Sequence, residues 1–448
     1  MKKWCNVADA LSAMLCSLLI AGPLLPAQTP NAGTNRNSTT SGEELRFVVI
    51  LSRHGVRSPT GKTDQLNQYS RQPWPAWSVP PGYLTAHGAR LMTILGTYDR
   101  EHLAAQGLLS PSGCTDVGRI RIVADSDQRT RETGKALAQG LAPGCPFEVS
   151  ALPEGTADPL FHSVEAGVGN PDKSLAAAAV SGRIGSNPEG LTDAYRPQLQ
   201  VLEEVLLNCK SVADCAPSGA SAPKSIFDIV ASLAPGNGDH LVELRSPLNI
   251  ASTMAENILL EYTEGMDATN VGWGRIDIDK LSELMQIHAV HEDITARTSY
   301  IARVESSNLL FHILRSMEQA TQDHSVSGTL TKPGDRLLIL VGHDTNIANI
   351  SGILNLSWVI DGRRDDTPPG GALIFELWGK RGTKAYSVST FYSSQTLDQM
   401  RKSTVLSLAN PPASVPVFVP GCEKTGVSCD WKTFRQILMV ATDSAFVK

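Results

Sequence analysis

The stretch Arg53-His54-Gly55-Val56-Arg57-Ser58-Pro59 sets one imidazole between two guanidinium groups. A guanidinium fork matches the oxygen geometry of a phosphoryl group. A neutral imidazole is a competent nucleophile when its second nitrogen is held by a hydrogen bond. Repulsion from the arginines lowers the imidazole pKa and keeps the ring neutral in mildly acidic water. Gly55 lets the backbone approach closely, and Pro59 stiffens the exit. The blander reading is a surface cluster of basic residues. Nearby, Gly61-Lys62-Thr63 looks like the end of a nucleotide-binding P-loop, but that pattern needs glycine at position 56, where valine stands. The nucleotide reading is rejected.

Two further groups carry compatible chemistry. His343-Asp344-Thr345-Asn346 offers a second imidazole and a carboxylic acid. Ester hydrolysis needs a proton for the departing alkoxide, and an aspartic acid beside a bound phosphate anion keeps its proton to higher pH. Alone, the pair reads equally as metal ligands or a helix cap. Asp127-Gln128-Arg129-Thr130-Arg131 supplies arginine at a helix start, where the helix itself favours anions.

Each group follows a strand pattern. Leu45–Ser52, Arg119–Ala124 and Arg336–Val341 are short apolar runs, and each chemistry-bearing group stands directly after one or just beyond its end. In open α/β sheets, ligands bind at the carboxyl ends of strands. Helices are expected from a Thr85 cap to about Gln106, over Thr130–Leu141 and over Asn346–Leu354. Ala372–Trp378 and Tyr386–Tyr392 read as two strands at the sheet edge. Between residues 182 and 320 the patterns are mostly helical. The expected fold is therefore α/β: a mixed, mostly parallel sheet with helices on both faces, built from 45–181 and 321–448, plus a smaller inserted α-helical domain over 182–320.

The start of the chain reads as an export signal over residues 1–27, with Lys2 and Lys3 before the apolar run Leu11–Gly22. That run is shorter than the ~20 residues a spanning helix needs, so no membrane association is expected after its removal. Residues 28–44 are polar and read as a flexible leader. The predicted location is periplasmic or secreted. The formal charge is −6, and the leader carries two lysines against one aspartate, so the exported chain is one charge more negative. No basic stripe remains for nucleic acid. Cys5 and Cys16 leave with the leader, and the remaining six cysteines suggest disulfides. Spacing pairs Cys209 with Cys215 and Cys422 with Cys429, which leaves Cys114 with Cys145.

Arg53–Pro59 with His343-Asp344 resembles the histidine acid phosphatases, the branch of the histidine phosphatase superfamily with RHGxRxP and HD motifs. The resemblance extends to Trp74-Pro75-Ala76-Trp77, Gly82-Tyr83-Leu84-Thr85, Gln128-Arg129-Thr130, Gly272-Trp273-Gly274-Arg275 and Thr367-Pro368-Pro369-Gly370-Gly371. These stretches resemble the exported bacterial phytase and glucose-1-phosphatase group. The resemblance implies an α/β domain plus a helical domain with the active site between them, no metal and no cofactor. It implies His54 as the nucleophile and Asp344 as the proton donor. Arg53, Arg57, Arg129 and His343 would bind phosphate, Thr60 would touch substrate, and Glu256 and His288 would line the substrate side. The expected partner is a small phosphomonoester, and the expected state a monomer.

The resemblance also marks departures. Glu305 stands where related phytases carry a phytate-gripping arginine, although Arg303 is close in sequence. Gly61 looks inserted and displaces Lys62, and a disulfide of related phytases between the helical domain and the C-terminal region has no cysteines here. Phytate and sugar phosphates therefore remain alternatives. Outside this class stand a metal-dependent hydrolase using His343-Asp344, for which the sequence shows no further clustered ligands, and a non-catalytic phosphate-binding protein. A phosphoglycerate-mutase-like isomerase shares the RHG motif, but an export signal fits a scavenging hydrolase better.

Overall fold

The first apolar run forms strand β1 (Glu43–Arg53), and its alternation assigns each side chain to a layer. Phe47, Val49 and Leu51 enter one core, while Val48 and Ile50 enter another on the opposite face. The computed structural model describes residues 42–448 except 62, 210–213, 215–222, 323 and 423–427, with 63 and 64 described by backbone alone. The expected signal and leader lie outside the described residues, apart from the last residues of the leader, which belong to β1.

The elements that position the site follow in chain order. Helix α1 (Ala86–Ala105) precedes β2 (Ile120–Ala124), α2 (Gln128–Leu141) and the short β3 (Val149–Ser150). The helical middle holds α3 (Lys173–Arg183), α4 (Arg196–Leu207), α5 (Pro247–Thr263), α6 (Ile278–Thr295) and α7 (Ser299–Ala320). Then come β4 (Leu337–Gly342), α8 (Asp344–Leu354), β5 (Ala372–Lys380), β6 (Tyr386–Ser394), β7 (Ala413–Pro416), β8 (Ser428–Asp430) and α9 (Trp431–Ala441).

The sheet runs β7-β6-β5-β1-β4-β2-β3, with β8 also paired to β6. The pairs β1–β4, β4–β2 and β2–β3 are parallel, and β5 to β8 add antiparallel pairs. The strands β5 and β6 are not the edge expected of them. β5 pairs directly with β1, and β7 and β8 cover the far side of β6. Alternation shows that a strand exists but not its neighbours, so only the pairing decides this order.

Helices cover both faces. Met92, Leu95 and Leu103 of α1 and Leu137 and Leu141 of α2 pack on Val48, Ile50 and Ile339. On the other face, Leu310, Ile313 and Leu314 of α7, Ile347 and Ile350 of α8 and Phe434 of α9 pack on Phe47, Val49 and Leu340. Burying one such side chain is worth about 1.5–3 kcal/mol. A third core gathers Leu202, Leu206, Ile258, Leu284 and Ile287 of the helical middle. Helix α7 joins two cores, since Ile301 and Val304 belong to the third and Leu310 to the sheet. The middle also holds a small hairpin, Ser232–Pro235 with Val242–Arg245.

Two of the three expected disulfides are present, Cys114–Cys145 and Cys422–Cys429. Cys209 is disulfide-bonded, and its expected partner Cys215 lies outside the described residues. Among the described residues no helix is long and apolar enough to cross a membrane.

Candidate active site

The parallel register sets Arg53, at the end of β1, beside Gly342, at the end of β4. The chain leaves both strands at one place. There the His54 N–H donates to the Gly342 carbonyl at 2.9 Å, and the Gly370 N–H donates to the His54 carbonyl at 2.9 Å. Gly55 has no room for a side chain, since a Cβ would come 2.8 Å from Met92 Cγ. Its N–H donates to Thr133 Oγ1 of α2 at 2.9 Å. Helix α1 starts where expected, with the Thr85 hydroxyl accepting from the Gly88 N–H at 2.8 Å. At Gly88 the helix nearly touches the loop, for a Cβ would come 2.1 Å from the Val56 carbonyl. Two glycines thus let α1 clamp the His54 turn.

Arg53 is fully buried and Arg57 nearly so. The Arg53 guanidinium donates to the Thr367 carbonyl at 2.6 Å and pairs with Asp344 Oδ2 at 2.9 Å. Glu256, from α5, bridges Arg53 and Arg57, lying 3.1 Å from Arg57 Nη2. Burial pushes the Asp344 carboxyl up, but Arg53, His288 and Arg57 outweigh it and hold the group well below the usual carboxylate range. Glu256 is likewise lowered, its burial outweighed by Arg57 and Arg53. His288, from α6, is buried, with Nδ1 hydrogen-bonded to Ser252 at 3.0 Å and Nε2 4.0 Å from Asp344. The site carries opposed charges packed together, and Arg53 Nε and Arg57 Nε have no hydrogen-bond partner among the described residues.

His54 Nδ1–H donates to its neighbour's carbonyl, Gly55 O, at 2.8 Å, which leaves Nε2 with its lone pair. Burial first, then Arg53, Arg57 and Arg129, hold this imidazole well below its ordinary pKa of 6.5. His343, the cap residue of α8, stands 5.5 Å away ring to ring. Its Nε2–H donates to Asp125 Oδ2 at 2.7 Å, and its Nδ1 faces Arg129 Nη2 at 3.4 Å. Burial lowers the His343 pKa, and the Asp125 bond opposes that shift. His162 shares the same oxygen, donating to Asp125 Oδ2 at 2.9 Å. Arg129 pairs with Asp127 at 2.5 Å.

This arrangement offers an uncharged nucleophilic nitrogen, a cationic cradle and a carboxyl close to both. Residues 44–216 and 247–393 match the histidine phosphatase superfamily (branch 2). The chain belongs to this superfamily. It is 35% identical over 399 residues to phytase AppA of Escherichia coli (strain K12), covering 88% of this chain and 91% of that one. It is 30% identical over 409 residues to a glucose-1-phosphatase of Providencia rettgeri, covering 89% and 92%. The solved structure of Hafnia alvei phytase in complex with tartrate superposes with a TM-score of 0.81 at 36% identity, covering 91% of this chain and 99% of that one. This histidine phosphatase is a phosphomonoesterase.

The phosphatase fold brings Arg53, His54, Arg57, Arg129, His343, Asp344, Glu256 and His288 into one linked network. Thr60 is exposed at its margin, where it and Arg129 Nη1 flank Gly82, a Cβ there lying 3.4 and 3.5 Å from them. Lys62 lies outside the described residues. Glu305 is half-buried in the field of His162, and burial pushes its carboxyl up to about 7. Arg303 is exposed, and two residues along a helix point to different faces.

Asp125, His162 and Thr133 escaped the sequence reading. The RIRIVA strand runs into Asp125, so its position beside Asp127 was a usable signal; His162 and Thr133 belong to no motif. The expectation of no further clustered ligands is also corrected. Asp125, Asp127, His162 and His343 converge, although they come from three separate segments, while Asp344 turns to Arg53 instead.

Proposed function

We propose that this phosphatase hydrolyses phosphomonoesters in two steps through a phosphohistidine on His54. Arg53, Arg57, Arg129 and His343 receive the phosphoryl oxygens, with Thr60 at the margin and Glu256 and His288 on the substrate side. His54 Nε2 attacks phosphorus as the ester P–O bond breaks, and Asp344 passes its proton to the leaving oxygen. Water then attacks the phosphohistidine, Asp344 takes that water's proton, and orthophosphate leaves with His54 restored. The observation that carries this reading is the His54 Nδ1–H bond to the Gly55 carbonyl, which aims a neutral lone pair into a cradle of guanidinium groups. Arg53 pairs with Asp344 and holds its carboxyl well below the usual carboxylate range. A bound phosphate dianion engages the same arginines and adds its own repulsion, so the acid acquires its proton only with substrate in place.

The same reading takes the protein as an exported monomer of periplasm or medium, which the disulfides support, with an α/β part of 45–181 and 321–448 and a helical part of 182–320. Its substrates are phytate, as for the phytase relatives, or sugar phosphates, as for the glucose-1-phosphatase. Glu305 favours the second. In acidic solution it is protonated, so it does not repel phytate but withholds the cation that a polyphosphate needs. The test compares kcat/KM for phytate and glucose 1-phosphate at acidic pH with chelator, using His54→Ala as the blank. Turnover that survives the chelator and favours glucose 1-phosphate supports both parts. Loss with chelator, or activity in the blank, removes the mechanism; preference for phytate removes only the substrate choice.

A further inference from the structure

We propose that Asp125, Asp127, His162 and His343 form a site for one divalent ion of the zinc class, which shares His343 with the phosphatase centre and is not required by its chemistry. Two imidazole nitrogens and two carboxylate oxygens lie within 4.8 Å of one another. His343 Nε2 and His162 Nε2 are 2.7 and 2.9 Å from Asp125 Oδ2, and His343 Nε2 is 3.6 Å from Asp127 Oδ2. Zinc bonds of about 2.0–2.2 Å set tetrahedral ligand atoms roughly 3.3 Å apart. The observed separations bracket that value, so small side-chain shifts open the ligand set around an ion.

A second observation points the same way. Asp125 is fully buried, yet its Oδ1 has no hydrogen-bond partner among the described residues, and a buried carboxylate oxygen left so is costly. A dication bound at this carboxylate neutralises that charge. Asp127 occupies the cap position of α2 but makes no cap hydrogen bond, turning instead toward Arg129 and His343. Paired imidazoles select the zinc class over calcium and magnesium, which take oxygen ligands. The His162 side chain is 34% exposed and gives the ion a route from solvent. On entry, the proton on Nε2 of each neutral ring passes through water to its Nδ1, so that both imidazoles bind uncharged. His343 then no longer accepts from Arg129, and Arg129 gives up its partner Asp127, which together hold the affinity below that of a closed structural zinc site.

The inference does not rest on the phosphatase mechanism, because the test uses no substrate. Tag-free, chelator-stripped protein is titrated with Co2+ and followed by visible absorption, then challenged with Zn2+. The expected result is the intense absorption of four-coordinate cobalt, saturating at one equivalent and displaced by zinc. His162→Asn and Asp127→Asn each weaken binding on the order of tenfold or more, and near-UV circular dichroism checks that each variant is folded. Faint six-coordinate absorption in the wild type, or unchanged binding in a folded variant, overturns the site. Should one variant not fold, the other and the wild-type spectrum decide.

Discussion

His54 and His343 stand ring to ring at the ends of neighbouring parallel strands, both buried, and differ in what holds the second nitrogen. His54 gives its N–H to a backbone carbonyl, His343 to the Asp125 carboxylate. A carbonyl fixes a tautomer without favouring a second proton; a carboxylate favours it. The three arginines therefore meet no opposition at His54, whereas Asp125 resists the lowering of His343. One residue type keeps an unopposed lone pair at one strand end and is held against a carboxylate that favours a second proton at the next, through the choice of a single partner.

Removing the lone pair should have the largest effect. His54→Ala is expected to lose turnover by at least on the order of 10⁴-fold in steady-state assays, because no other neutral nitrogen occupies its place. Asp344→Asn comes next. It should slow esters of poor leaving groups by roughly 10²–10⁴-fold while aryl esters with good leaving groups change far less; equal losses on both would remove the acid role. Asp125→Asn breaks the other half of the comparison. His343 loses its carboxylate, so orthophosphate inhibition should weaken and kcat/KM fall by roughly 10–100-fold. The acid limb of the pH profile, set by His54 and lying below pH 6.5, should stay in place.

The smallest effect separates carboxyls with cationic partners from those without. Glu256 sits between two arginines and is held low, whereas Glu261 accepts, among the described residues, only the Gly272 N–H, and burial pushes it up to about 8. The folded pKa of Glu261 is raised above the unfolded value, so between about pH 4.5 and 8 the unfolded chain binds fewer protons there and stability falls as pH rises. Glu261→Gln keeps an acceptor for Gly272 and removes the titration. Thermal melts should show the variant gaining a few kcal/mol over wild type by pH 8 and nothing below pH 4.5. An unchanged pH slope would show that Glu261 does not titrate in the folded protein.

The sequence made legible what is local. The apolar run ending at Ser52 announces the strand that delivers Arg53 and His54, and Thr85 announces the start of α1 through its own cap. Glu256 and His288 were reachable only by resemblance, because about 200 residues separate Glu256 from the arginines it bridges. His162 meets Asp125 across 37 positions and carries no motif. Sheet order was likewise hidden, since β5 reads the same at an edge as beside β1. Strand ends and caps depend on neighbours in sequence; charge partners and strand order depend on the closed fold.

Covalent trapping decides whether the phosphoryl group passes through His54. The enzyme is mixed with a ³²P-labelled phosphomonoester at acidic pH, quenched in alkali within milliseconds to preserve phosphohistidine, and digested. Label is expected on the peptide containing His54, absent from His54→Ala and lost on a chase without quench. An unlabelled protein that still turns over, or label on another residue, would contradict passage through His54.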